Sequence, residues 1–311
     1  MTRVVVIGAG VGGLGAAVRL VGAGCDVSVL EAAATIGGKL NIEHADGHVF
    51  DTGPSLMTMP FTLADTLAAA GVRLADVLEL LPVEPICRYR WHDGSLLETW
   101  TDDDRTAAAF EAFQHGAGQE WHALLEQGRR TWDMSLPLFL SEPVGGIVDI
   151  ARRSGRPIDP RDIQAHVTLS QIAQRRFRDP RLQQVIERFA TYAGADPARA
   201  PGTLSVIPYT ETAFGAWHPR GGMHRIAEVL RDAVLAGGGE VRTNAPVARV
   251  LVENGAAVGV ELADGERIAA DAVVSNADAA TLYGELLDAP KEARQVASAP
   301  QSVSGFVLML A

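Results

Sequence analysis

Val4-Val5-Val6-Ile7 runs straight into Gly8-Ala9-Gly10-Val11-Gly12-Gly13, and the roughly thirty residues around this junction decide the fold. An apolar, β-branched run of this kind is the pattern of a fully buried parallel strand. The stretch that follows places Leu14, Ala17, Val18 and Val21 at helical spacing, and Gly22 and Gly24 close it as C-terminal glycines do. Val27, Val29 and Leu30 then form a second strand, with Glu31 at its end. Each part has a physical task. Gly8 permits a tight turn, Gly10 lets the backbone approach a pyrophosphate, and Gly13 lets the helix pack closely on the strand. The N–H groups at the helix start hold phosphate charge, while Glu31 suits a ribose diol and repels a 2′-phosphate. Strand, glycine turn, helix, strand and acid in register predict a dinucleotide site rather than an ordinary βαβ turn. A secretory leader is the competing reading of Met1 to Gly24, but Arg19 interrupts the apolar run and a second strand follows.

Six residues past Glu31 stands Gly37-Gly38-Lys39. A nicotinamide domain has no need of this second glycine pair. A flavin domain uses such a turn to bring backbone and a cation against the FAD phosphates. Lys39 and Lys291 are the only lysines in an arginine-biased chain, which favours a specific role for Lys39 over that of a solvated loop lysine. Further on, Gly53, Pro54 and Ser55 in Asp51-Thr52-Gly53-Pro54-Ser55 form a turn of fixed backbone angles. That turn is either a plain loop or a backbone wall beside the flavin ring.

These residues resemble the N-terminal signature of bacterial carotenoid (phytoene-type) desaturases, within the wider group of FAD-dependent amine-oxidase-like oxidoreductases. Trp217-His218-Pro219-Arg220-Gly221-Gly222-Met223 and Val273-Val274-Ser275-Asn276-Ala277-Asp278 are two further blocks of the same resemblance. It implies an α/β fold: a discontinuous, Rossmann-like FAD-binding domain of the glutathione-reductase type, with an inserted, largely helical substrate or membrane domain. The expected boundaries are 1–78 and 216–290 for the FAD-binding domain, and 79–215 with 291–311 for the substrate domain. Gly8, Gly10, Gly12, Gly13, Glu31, Gly38, Lys39, Gly53, Pro54, Ser55 and Val247 are the expected FAD-binding residues, Val247 through backbone near the adenine. Glu211, Trp217 and Arg220 are expected on the substrate side of the flavin, Glu211 against the alternative of a solvated helix-end carboxylate. The implied reaction removes hydrogen from a long apolar carotenoid, such as phytoene or a hydroxycarotenoid, with hydride passing to flavin N5 and electrons on to a quinone or dioxygen. An amine or porphyrinogen oxidase, a carotene isomerase, or an inactive FAD-binding fragment are the alternatives. The fragment reading comes from the tail, Phe306 to Ala311, which reads as mid-strand, and from similar proteins continuing well beyond it.

The composition fits. The chain has 311 residues, 47% hydrophobic and 21% charged, long enough for two domains around substantial cores. Its net charge of −11 excludes nucleic acid as the main partner, because phosphate-backbone binding needs clustered cations. No polybasic stretch offers electrostatic membrane anchorage, so a peripheral contact on the inner face of the membrane, from the cytoplasm, would work by apolar burial. Cys25 and Cys87 read as small buried hydrophobes of a reducing compartment. The eight histidines have no metal-ligand spacing and no Ser/His/Asp triad appears, so no metal is expected and no general base stands out.

Elsewhere, Pro60 opens a helix carrying Leu63 and Leu67, and Asp93-Gly94 marks a hairpin. The pattern is helical from Asp104 to about Thr131, and Asp179-Pro180 opens a helix carrying Leu182, Val185, Ile186 and Phe189. Leu136–Leu140 and Val144–Val148 are apolar stretches for a core or a membrane-facing, polyene-admitting surface. Residues 240–275 alternate as a strand meander with turns at Asn254-Gly255 and Asp264-Gly265.

Overall fold

The computed structural model describes residues 1–140, 147–154, 159, 161, 163–299, 302 and 307–310. They divide into two compact units, one of residues 1–81, 217–299 and 307–310, the other of residues 82–216 with Ser302.

The first unit is built on a four-stranded parallel sheet. β1 (Arg3–Ile7), α1 (Val11–Gly22) and β2 (Asp26–Leu30) follow one another, and α2 (Pro60–Ala68) comes later. After the second unit the chain returns through α3 (Arg225–Ala236) to β3 (Glu240–Arg242). β4 (Val247–Glu253), β5 (Ala256–Leu262) and β6 (Arg267–Ala269) form an antiparallel sheet, and β7 (Ala272–Ser275) closes the parallel one. The parallel order is β7-β1-β2-β3, with Ile7 opposite Leu30 and Ser275. The expected meander therefore divides. Its first and last strands join the parallel sheet, because residues 240–242 pair with β2 and 272–275 with β1, and only the middle three form a meander.

α1 buries Leu14, Ala17, Val18 and Val21 in one core with Ile226, Ala227, Leu230 and Val234 of α3. Burying a side chain of this kind is worth roughly 1.5–3 kcal/mol, so the α1 face is a large part of what fixes the turn before it. The helix ends where Gly24 takes φ +79°, a left-handed conformation that costs glycine nothing. The expected assignment of residues 291–311 to the helical region is corrected in part. Pro290–Ser298 is a helix of the first unit, lying near the short helix Ala279–Thr281 that follows β7. Val307–Leu310 form no regular element, while Phe306 and Ala311 lie outside the described residues.

The second unit is mainly helical, with one hairpin of Cys87–Arg90 and Leu96–Thr99 around Asp93-Gly94. Phe110, Trp121 and Phe177 form the centre of its core, with ring centroids 4.7 and 5.5 Å from Phe110. The helical pattern over Asp104–Thr131 is carried by two helices, Asp103–Phe113 and Ala117–Ser135. Gly116 breaks it at φ +86°, and the Glu111 carboxylate accepts the freed N–H groups of Gly116 and Gly118. The helix from Pro180 stops at Glu187, and Phe189 lies buried in the 3-10 turn Arg188–Ala193 that follows. Leu136–Leu140 form a single π-helical turn in which Leu138 is buried and Leu140 is exposed. Val144 to Gly146 lie outside the described residues, and Val148 beyond them is exposed.

Candidate functional site: a glycine-lined cavity

The turn between β1 and α1 is shaped by what each glycine touches. Gly8 has φ +93°, and its N–H donates to the Leu30 carbonyl at 2.8 Å, which ties the turn to β2. A Cβ added to Gly13 would lie 2.0 Å from the Gly8 carbonyl oxygen, so helix and strand meet more closely than any side chain allows. Gly10 is the N-cap of α1 and carries no side-chain cap, and no acid stands in the first turn. The N–H groups at this end therefore lack the intrahelical acceptors of later turns and face outward with the positive end of the helix dipole.

The second glycine pair packs on the first. Gly37 donates its N–H to the Ala9 carbonyl at 2.8 Å and takes φ +104°. A Cβ on Gly38 would sit 3.3 Å from Gly10 Cα. Past Lys39 the chain makes a hairpin, Ile42–Ala45 with His48–Asp51, and passes so close to itself that a Cβ on Gly53 would lie 1.8 Å from the Lys39 carbonyl oxygen. The Asp51 carboxylate accepts the Met223 N–H at 3.0 Å, and the Leu40 carbonyl meets His224 Nδ1 at 2.6 Å. The Ser55 carbonyl meets His218 Nδ1 at 3.0 Å, while Met57 and Trp217 exchange backbone hydrogen bonds. The blocks at 37–57 and 217–224 are thus one knitted structure.

The two glycine turns, with Pro54, Val247 and the stretch after β7, line a half-open cavity of about 920 Å³. Gly8, Gly10, Glu31, Gly38, Lys39, Pro54 and Val247 line it. Gly12, Gly13, Gly53 and Ser55 stand outside its lining; Gly13 and Gly53 act by allowing close backbone contact. Both Glu31 oxygens are engaged, one accepting the Ala9 N–H at 2.7 Å and the other the Ala33 N–H at 2.9 Å. Each carboxylate oxygen keeps a further acceptor position for a ligand hydroxyl. Lys39 is exposed at the rim.

Trp217 and Arg220, expected on the substrate side, do not line this cavity. The Arg220 guanidinium is bound twice by the Glu79 carboxylate, at 2.5 and 3.0 Å, which holds that acid below its ordinary range. Glu211 belongs to the second unit and is buried rather than solvated at a helix end. Its carboxylate accepts from the Tyr192 hydroxyl and lies 3.4 Å from the Arg188 guanidinium. Burial, with the Glu211 charge beside it, pushes the Tyr192 phenol upward. The residue that sequence reasoning passed over is Asn276, which lines the cavity beside Gly10. Its signal was present, because it stands at the C-terminal end of a parallel strand, where open α/β sheets bind their ligands.

An uncapped helix N-terminus, two glycine turns in contact and an acid at the end of β2 fit a dinucleotide. The sequence profile described as flavin containing amine oxidoreductase matches residues 11–310. The chain belongs to that family, and its cofactor is FAD. A 4,4'-diapolycopene oxygenase of Methylomonas sp is 31% identical over 99% of this chain and 62% of its own. A hydroxyneurosporene desaturase of Cereibacter sphaeroides is 37% identical over 98% of this chain and 62% of its own. The chain thus spans about three fifths of the length of these relatives. An oxidoreductase from Methanosarcina mazei shares the fold, with a TM-score of 0.67 at 21% identity over 95% of this chain and 63% of that one.

Proposed function

We propose that this chain serves FAD-dependent desaturation of a long apolar carotenoid, such as phytoene or a hydroxycarotenoid. The observation that carries the reading is the single cavity in which Gly10, Gly38, Glu31 and Lys39 meet. The substrate class is supported by the hydroxyneurosporene desaturase relative. FAD, when bound, supplies a two-electron acceptor at N5 for an allylic hydride. The chain's own residues bind and orient. The first turn of α1 and Lys39 meet the diphosphate charge, Glu31 accepts from a ribose hydroxyl, and the backbone at Val247 approaches the adenine. Gly12 and Gly13 would hold the first turn beside the diphosphate, and Gly53, Pro54 and Ser55 would form the backbone wall beside the flavin ring.

In this reading the helical unit is the inserted substrate and membrane domain. Exposed Leu140 and Val148 support a peripheral contact on the inner face of the membrane, made by apolar burial. Among the described residues no helix is long and apolar enough to cross a membrane. Glu211, Trp217 and Arg220 remain the residues proposed for the substrate side, and a quinone or dioxygen the acceptor.

Presenting phytoene and a hydroxycarotenoid in liposomes, with FAD and a quinone, tests the reading. Desaturation lengthens the conjugated system, so the extracted product absorbs at longer wavelength and has lost hydrogen. A product that has gained oxygen supports the chemistry that the oxygenase relative is named for. Flavin reduction by amines with none by carotenoids contradicts the proposal.

A further inference from the structure

The residue that follows β7 stands beside every glycine of the first turn. β7 ends at Ser275, and the N–H of Asn276 donates to the Ile7 carbonyl at 2.8 Å, which extends the β1–β7 ladder and sets Asn276 beside the turn. A Cβ added to Gly10 would lie 2.8 Å from Asn276 Nδ2, and one on Gly12 2.5 Å from its Oδ1. One on Gly13 would lie 3.1 Å from Asn276 Cβ, and one on Gly8 3.6 Å from its carbonyl carbon. Gly10 and Gly12 therefore accommodate Asn276 as well as any ligand. The side chain is exposed, lines the 920 Å³ cavity and has no hydrogen-bond partner among the described residues.

A carboxamide has two N–H donors and a carbonyl acceptor but no charge. Beside an uncapped helix N-terminus, the group that most needs such donors is a diphosphate. We infer that Asn276 is a cofactor-binding residue whose Nδ2–H donates to a diphosphate oxygen of the bound dinucleotide, adding a neutral side-chain donor to a cradle of backbone N–H groups and Lys39. A carboxylate in the same place would face the phosphate charge, and the nearby acid is engaged elsewhere: Asp278 accepts the Ala280 N–H at 2.8 Å and caps its own short helix. The inference rests on the reading of this cavity as the FAD site.

The test measures equilibrium binding of FAD and of ADP, which carries the same adenosine diphosphate without the flavin ring, to the dialysed chain. Asn276→Ala is expected to weaken both about tenfold, the effect of losing one hydrogen bond to a charged group. Asn276→Asp is expected to weaken both on the order of a hundredfold at low salt, with the gap to Asn276→Ala narrowing as salt screens the repulsion. Thermal unfolding of the unliganded variants stays with that of the parent, because the side chain is exposed and makes no hydrogen bond among the described residues. Variants that bind within about twofold of the parent, or a gap between Asn276→Asp and Asn276→Ala that stays the same at every salt concentration, overturn the inference. So does an effect on FAD alone, with ADP unchanged. A parent chain that binds neither probe overturns the cofactor reading itself, an outcome distinct from variants that match a binding parent.

Discussion

Around Gly10 the polar groups are backbone N–H donors, left open by four glycines and by the absence of a capping side chain. Around Glu211 they are side chains, and the carboxylate is already engaged by Arg188 and Tyr192. The first arrangement is poised for a ligand and the second is closed upon itself. Substitutions should therefore act in different currencies, on cofactor affinity in the first unit and on folding stability in the second.

The largest effect is expected from Gly13→Val. Its Cβ would lie 2.0 Å from the Gly8 carbonyl oxygen, so helix and strand must separate. FAD uptake should be abolished and the melting temperature lowered, both measurable on one sample. Full FAD affinity in this variant would show that the close approach of α1 and β1 is not what shapes the cradle.

The ion pair at the buried Glu211 comes next. Arg188→Met leaves the Glu211 carboxylate, only 3% exposed, with Tyr192 alone. Leaving a buried charge without its counter-ion costs about 3 kcal/mol, to be read by urea denaturation. The double variant Arg188→Met/Glu211→Gln should recover most of that loss. A single variant as stable as the parent would mean that water already serves Glu211.

How much of this was legible in the sequence follows the same division. Gly8, Gly10, Gly13, Gly37 and Gly38 could be placed because a close backbone approach leaves only one residue type possible, and the type is the signal. Their second blocks, at 217–223 and 273–278, were visible as motifs, but nothing in their letters said that Asp51 would bind Met223 or that Asn276 would lie on Gly10. Such contacts are between side chain and distant backbone, with no local period to betray them. The hairpin at 42–51 was readable and went unread: Asp46-Gly47, both at positive φ, is the turn signal between its strands. In the second unit, the apolar periodicity over 104–131 ran through Gln114–Gly116 and hid the break, although Gly116 was its one clear mark. The partner of Arg220 was hidden for a similar reason, since a motif arginine says nothing of the Glu79 that binds it from far away in sequence.

Glu31→Gln sharpens the comparison at smaller amplitude. The amide keeps one acceptor oxygen for the Ala9 or Ala33 N–H but loses the charge-assisted bond to the ribose. FAD should bind about tenfold more weakly with the fold intact, measured by flavin fluorescence. Unaltered affinity would remove Glu31 from the site.

The smallest effect is on pH dependence. Hydrogen bonds from Arg129 and Arg130 hold the half-exposed Glu126 carboxyl down to about 2 from its ordinary 4.5. A depressed carboxylate contributes stability above its unfolded value, and the contribution is lost as pH falls through the folded one. The stability deficit of Glu126→Gln should therefore shrink between pH 4.5 and about 2. A deficit constant across that window would assign the effect to packing instead.

The most direct test of the central claim is an FAD titration of the purified, dialysed chain, followed by visible absorption. Saturable uptake with a perturbed flavin band, abolished in Gly13→Val, is the expected result. A chain that stays colourless at saturating FAD while folded would contradict it, because the cradle of Gly10, Gly38 and Glu31 would then be a shape without its ligand.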